Sequence, residues 1–291
     1  MARAQARRVA AALTTASELV TISTHGDRWM GSLAAAGGKG AFVREIDRAL
    51  LAGEIDIAVH CLKDIPGDVP VPDGVAFAAY LDREDVHDCM VTADGRKLAD
   101  LPADATVGTS SVRRRAQLAR HWPHLRLAPM RGNVNTRLAK LDRGEVDALI
   151  LAVAGLYRVG QADRVAEVLP TDTIIPPVGA GVIALQVRAD DAATRTLAQA
   201  LNHENTAQAA AAERAMLWAL RGHCRSPIAG HAVIDADGQL SLRGAVYSQD
   251  GTTAVQASHR GPATDAAAIG QAVADDLLGQ GARGLIDAIA H

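Results

Sequence analysis

Aromatic side chains are nearly missing from this chain: three Trp, three Tyr and two Phe among 291 residues. A core must therefore be built from Ala, Val, Leu and Ile, and the stacked aromatic platforms of single-strand nucleic-acid binders are not available. Cysteine is almost as rare. Cys61, Cys89 and Cys224 are odd in number, widely spaced and free of any CxxC pair, which argues against a disulfide framework and a structural zinc site and fits a reducing cytosol. No apolar run is long enough to cross a bilayer. A net charge of −3 gives the chain as a whole no pull toward a polyanion or a membrane surface. With 48% hydrophobic and 22% charged residues, the chain reads as globular and large enough for two or three domains.

The start, "MARAQARRVAAALTTASE", is basic, amphipathic and without acid before Glu18, as in a transit peptide. A first helix with Ala10, Ala11 and Leu13 inward is preferred, because the segment runs straight into a strand-like "ELVTIST". Helix and strand patterns then alternate, which indicates an α/β architecture. "AFVREIDRALLAG" puts Phe42, Ile46, Ala49 and Leu50 on one helical face with Gly53 as a left-handed cap, and "IDIAVHCL" follows as a strand. The corner recurs: "AGEIDIAV" at 52–59 matches "RGEVDALI" at 143–150. Either two domains share a topology, or the corner is simply a common one. The last segment differs, with a helix "NTAQAAAAERAMLWALRG", three short strands around a "DADG" turn, and a helix from Asp265 to Leu278. That describes a small α+β domain.

Positive charge is concentrated where negative charge is missing. Between Ala105 and Leu141 there is no Asp or Glu, while Arg113, Arg114, Arg115, Arg120, Arg126, Arg131, Arg137 and Lys140 all fall there. In "TVGTSSVRRR", Thr109, Ser110 or Ser111 can cap a helix whose first turn carries Arg113 and Arg114. In "MRGNVNTRL", Asn133 caps a helix carrying Arg137, with Arg131 and Gly132 before it. Free N–H groups, hydroxyls and guanidiniums at two such junctions suit a small ligand with several carboxylates. A nucleic-acid surface is the weaker alternative, since no helix-turn-helix or zinc-finger spacing occurs. "AVHCLKDIP" ends a strand with His60, Lys63 and Asp64, where a carboxylate facing that arginine wall can stabilise a developing cation or move a proton. Lys39, in "GGKGAFV", sits in a glycine-rich turn that is not a P-loop. In "LRGHCRSPIAG", Cys224 stands between His223 and Arg225, neighbours that favour a thiolate. The residues alone leave open a disulfide, a metal, a nucleophile or a permanent covalent load.

"GGKGAFVREIDRALL", "DIAVHCLKDIP", "REDVHD", "VGTSSVRRRAQL", "MRGNVNTRLAKLDRGEVDALILAVAGLYRVG" and "AERAML…GHCRSPIAG" together resemble the porphobilinogen deaminase (hydroxymethylbilane synthase) family. The resemblance implies an α/β fold of two domains like those of type II periplasmic binding proteins, plus a small C-terminal α+β domain. The implied spans are 1–80 with 181–200, then 85–176, then 203–291. It implies a cytoplasmic monomer that adds four porphobilinogen units to a primer, each losing ammonia, and releases hydroxymethylbilane, with no metal, nucleic acid or membrane partner. Cys224 matches the residue carrying a dipyrromethane cofactor by a thioether, and Asp64 matches the catalytic aspartate that steadies an azafulvene-like carbon. Lys63, Asp64, Thr109, Ser110, Ser111, Arg113, Arg114, Arg131, Gly132 and Arg137 match cofactor-binding positions. Arg113, Arg131, Arg137, Arg158 and Lys39 match substrate-binding ones.

The chain also departs from the family. The usual opening strand and R-x-S-x-L-A turn do not precede "MARAQARRVAAAL", so either translation starts further upstream or the fold and activity are compromised. Ala35, Ala180 and His223 stand where a lysine, a glutamine and a glycine are usual. An inactive paralogue, or a two-lobed binding protein for an anionic molecule, is the rival expectation.

Overall fold

Helix α1 (Ala2–Ala12) turns Gln5 and Val9 inward, and Leu13, one turn on, packs against the same cluster as Val9. Ala11, expected on that face, is exposed; the inward ridge runs at a spacing of four along one side of the helix. The computed structural model describes residues 2–28, 40, 42–222 and 225–289. The strand expected at "ELVTIST" is not formed: no described strand pairs with this segment, and Leu19 and Val20 stand exposed. A strand without neighbours has nothing to take up its backbone groups.

A short helix α2 (His25–Arg28) is followed by α3 (Arg44–Leu51), β1 (Ala58–Cys61) and β2 (Val75–Tyr80). The middle of the chain supplies β3 (Asp88–Thr92), β4 (Thr106–Gly108), α4 (Val112–His121), β5 (Arg126–Ala128), α5 (Val134–Asp142), β6 (Ala148–Ala152), α6 (Val153–Arg158) and β7 (Glu167–Val168). The return brings β8 (Ile183–Arg188) and α7 (Ala192–Gln199). Last come α8 (Glu204–Leu220), β9 (Ile228–Ile234), β10 (Gln239–Tyr247), β11 (Ala254–Pro262), α9 (Ala266–Gly279) and α10 (Ala282–Asp287). No helix among the described residues is long and apolar enough to cross a membrane.

Three sheets form among the described residues. The first is antiparallel in the order β1-β8-β2, so β1 is an edge strand, with Cys61 opposite Ile183. The second has the order β5-β4-β6-β3-β7; β4 runs parallel to β5 and β6, whereas β3 runs antiparallel to β6 and β7. The third is the antiparallel β9-β10-β11, with α8 and α9 burying Met216, Leu220, Val273 and Leu277 against Leu240 and Leu242. Its first hairpin turns at "DADG": the Asp235 carboxylate accepts from the N–H groups of Asp237 and Gln239.

The repeated corner has the same geometry at both places. Gly53 and Gly144 adopt φ of 72° and 73°, and the N–H groups of Glu54 and Glu145 donate to Ala49 and Lys140. Each pair closes a left-handed helix end before a strand that leads into the site. The chain crosses between the first two sheets at 81–87 and returns through 169–182. Glu213 of α8, fully buried, fixes the crossings to the third sheet. It accepts from the N–H groups of Gly179 at 2.7 Å and Ala232 at 2.8 Å, and pairs with Arg83 at 2.8 Å.

Candidate active-site cleft

β1 ends in a single 3-10 turn, Leu62–Asp64, held at its start by the Leu62 N–H donating to the Val182 carbonyl. The turn points Lys63 and Asp64 into a cleft of about 470 Å³. Arg114, Gly132 and Arg137 from the second sheet's helix starts line the same cleft, together with Arg158 and Ala180. His60, one residue before Cys61, is buried; that burial pulls its pKa down to about 4 and keeps the imidazole neutral.

Asp64 is exposed to the cleft, where the surrounding protein partly desolvates its carboxyl. That desolvation raises its pKa above the ordinary carboxylate value, against the opposing pull of Lys63, Cys61 and Arg158. The arginine wall is the mirror case. Desolvation lowers the pKa of Arg137, and the charges of Arg114 and Arg131 lower it further. Its Nε donates to the Gly132 carbonyl at 2.8 Å, leaving the guanidinium Nη groups to meet an anion. Such a wall is chemically matched to a ligand bearing carboxylates.

Behind that wall lies a buried ion cluster. Asp88, at the start of β3, receives Arg113 Nη2 at 2.6 Å, Arg114 Nη2 at 2.6 Å and Arg114 Nε at 3.0 Å. Burial alone would raise its pKa, but the two guanidiniums outweigh it and hold the carboxyl far below the usual range. Arg113 Nη1 and Arg114 Nη1 donate in turn to the carbonyls of Ile175 and Ile150.

Residues 1–196 match the family model described as porphobilinogen deaminase, dipyromethane cofactor binding domain, and residues 207–279 match porphobilinogen deaminase, C-terminal domain. The chain belongs to the porphobilinogen deaminase family. Among the family's curated members, porphobilinogen deaminase 2 of Streptomyces coelicolor is 52% identical over 296 residues, covering all of this chain and 95% of its own. The Chromobacterium violaceum porphobilinogen deaminase is 46% identical over 273 residues, covering 94% of this chain and 87% of its own. Among solved structures, a periplasmic substrate-binding protein of an ABC transporter from Coxiella burnetii aligns with a TM-score of 0.40 at 13% identity, covering 68% of this chain and 84% of that one.

The family's expected site residues fall into three groups here. Lys63, Asp64, Arg114, Gly132, Arg137 and Arg158 meet in the cleft. Thr109, Ser110, Ser111, Arg113 and Arg131 are not among its lining residues, and most of them serve the wall from behind. Thr109 is buried and accepts from the Ser111 N–H, whereas Ser111 caps α4 through the Arg114 N–H. Ser110 Oγ ties the two arginine loops together, donating to the Met130 carbonyl and accepting from its N–H. Arg113 is committed to Asp88, and Arg131 adds its charge beside Arg137. Cys224 and Lys39, with Ala35 and His223, lie outside the described residues.

Several contributors were not legible beforehand. Asp88 sits in the quoted "REDVHD", but its role depends on arginines 25 and 26 positions away. Glu84, in the same motif, pairs with both Arg158 and Arg8. No group of three or more His, Cys, Asp or Glu that could hold a metal ion occurs among the described residues.

Proposed function

We propose that this protein is a hydroxymethylbilane synthase, a transferase that condenses four molecules of porphobilinogen head to tail on a covalent dipyrromethane primer. The observation that carries the reading is the meeting of one carboxylate, Asp64, with Lys63, Arg114, Arg137 and Arg158 in one cleft. The dipyrromethane, when bound, supplies the free pyrrole carbon on which the chain grows. Condensation there would release the porphobilinogen nitrogen as ammonia in exchange for the pyrrole carbon's hydrogen, and this chain's part is to bind the substrate's carboxylates and steady the charge. Asp64 stabilises the positive charge that builds on the departing side, as a fixed charge held in place beforehand can. Arg114, Arg137 and Arg158 hold acetate and propionate groups, with Arg131 adding to their field and Lys63 beside the acid. Arg113 supports that wall through Asp88. Water then cuts the tetrapyrrole from the primer.

The same reading assigns Cys224 as the thioether anchor and Lys39 as a further substrate contact. It takes 1–80 with 181–200, 85–176 and 203–291 as the three domains, a division that the three separate sheets support. It also takes the protein as a cytoplasmic monomer whose small-molecule partner is porphobilinogen. Intact-mass measurement tests it: purified protein is expected to exceed its calculated mass by two pyrrole units and to redden with Ehrlich's reagent. Cys224→Ser should abolish both signals, and a wild-type mass equal to the bare chain would refute the assignment.

The arginine wall gives a second prediction. Arg137→Leu removes a guanidinium aimed into the cleft and leaves a ligand carboxylate unpaired, costing about 1.5–3 kcal/mol, or roughly ten- to hundredfold in affinity. Primer occupancy by mass, or the KM for porphobilinogen, should register that loss; both unchanged would remove Arg137 from the site.

A further inference from the structure

We propose that Tyr247 is a positioning residue: through Gln117 it braces the arginine wall of the cleft against the third sheet. The inference rests on the activity proposed above, which gives the wall a ligand and the third sheet its anchor, Cys224.

Gln117 stands in the middle of α4 and is fully buried. Its amide closes a ring of two bonds with the Ile175 backbone. The Ile175 N–H donates to Gln117 Oε1 at 2.7 Å, and Gln117 Nε2 donates to the Ile175 carbonyl at 3.1 Å. That ring fixes which end of the amide is oxygen. The Tyr247 hydroxyl, 3.1 Å from the same Oε1, is therefore the donor. Burial pushes the Tyr247 pKa up, so its proton stays in place. The ring leads to the wall, because the Ile175 carbonyl also accepts from Arg113 Nη1 at 2.6 Å. Arg113 Nε is buried and has no partner among the described residues, so this carbonyl and the Asp88 carboxylate hold the guanidinium. Asp88 in turn takes two bonds from Arg114, which lines the cleft.

The other end of the brace is the strand pair behind the anchor. The Tyr247 N–H donates to the Pro227 carbonyl at 3.1 Å, shortly after Cys224, and the Gly230 N–H donates to the Pro176 carbonyl at 3.0 Å. Gly251, in the hairpin that follows β10, lies so close to α4 that a Cβ there would collide with the Ala116 carbonyl. Tyr247 is thus bonded through its backbone to the stretch that follows the anchor, and through its ring to the arginine helix. Such a brace fixes the spacing between a tethered primer and the guanidiniums that take its carboxylates.

Tyr247→Phe removes the hydroxyl alone. Arg114 holds substrate carboxylates before and during reaction, so a displaced wall weakens both states alike. KM for porphobilinogen is expected to rise about three- to tenfold with kcat little changed. Gln117→Met, which also opens the ring on Ile175, should raise KM further. Adding Tyr247→Phe to Gln117→Met should then change nothing more, because the brace acts through the amide. A merely structural tyrosine would lower the unfolding midpoint and leave KM alone, or would add its full effect in the double variant; either result overturns the proposal. If Gln117→Met does not fold, Tyr247→Phe decides. The Arg114 Nε–H signal, read by nitrogen NMR on the protein as purified and identified with Arg114→Lys, should shift in Tyr247→Phe, and an unmoved signal would also overturn the brace. Should wild-type protein lack both primer mass and turnover, the activity fails, and the Arg114 signal still decides the brace.

Discussion

Asp64→Asn is expected to lower kcat by about two to three orders of magnitude while the primer stays attached and KM changes little. The amide keeps the shape of the side chain and its place on the 3-10 turn, but carries no charge. Only an interaction that strengthens as positive charge develops is lost, and such a loss appears in kcat. The pH profile supplies a second reading. Desolvation raises the Asp64 pKa, so lowering the pH protonates it at a higher pH than an ordinary aspartate, and turnover falls along that limb. In the asparagine variant this limb should vanish, leaving a low plateau. Retention of wild-type kcat would remove Asp64 from the chemistry, whatever the mass spectrum says of the primer.

Asp88→Asn should have the larger effect on the fold. It leaves two buried guanidiniums facing each other without the carboxylate that now takes three hydrogen bonds from them. Breaking a buried ion cluster from one side costs about 3–5 kcal/mol, much of an ordinary domain's stability. A urea titration followed by circular dichroism should show the midpoint falling accordingly. The pH dependence has a definite sign. The folded pKa of Asp88 is depressed, so its stabilisation is complete above the unfolded value of roughly 3.9 and is lost as pH falls from there toward the folded pKa. Wild type should therefore lose stability in acid, and the variant should lose less over that range. Because the cluster is buried, added salt should screen it little, unlike the cleft arginines. An unchanged midpoint would mean that the arginines find other partners.

Local chemistry was legible in the sequence wherever a few neighbouring residues decide the outcome. The Gly53 and Gly144 helix ends, the Ser111 and Asn133 caps and the Asp235 hairpin depend on nothing further than five positions away. "ELVTIST" has the right pattern for a strand, but a strand is a property of its partners, and none of the described strands lies beside it. The arginine run was legible as a field, not as a division of labour. Arg113 and Arg114 are adjacent in a helix, yet only Arg114 reaches the cleft, and the carboxylate that holds both arrives from another strand. Cys61 was counted among the scattered cysteines, because its contacts to Gln5 and Arg158 span 56 and 97 positions.

The return crossing leaves little room for the sequence to drift. Gly179 and Gly181 hold φ of 75° and 72°; an added Cβ would come 2.8 Å from the Lys63 amide nitrogen at the first and 2.3 Å from the Glu84 carbonyl oxygen at the second. A side chain at 179 would push back the turn that carries Asp64, and one at 181 would lever Glu84 away from Arg158. Ala180, buried between them, lines the cleft, donates its N–H to the Pro177 carbonyl and accepts from Arg83 at its own. The two glycines therefore tie the position of the Asp64 turn and of the Glu84–Arg158 pair to one short stretch of backbone, so a substitution at either would be felt on both sides of the cleft.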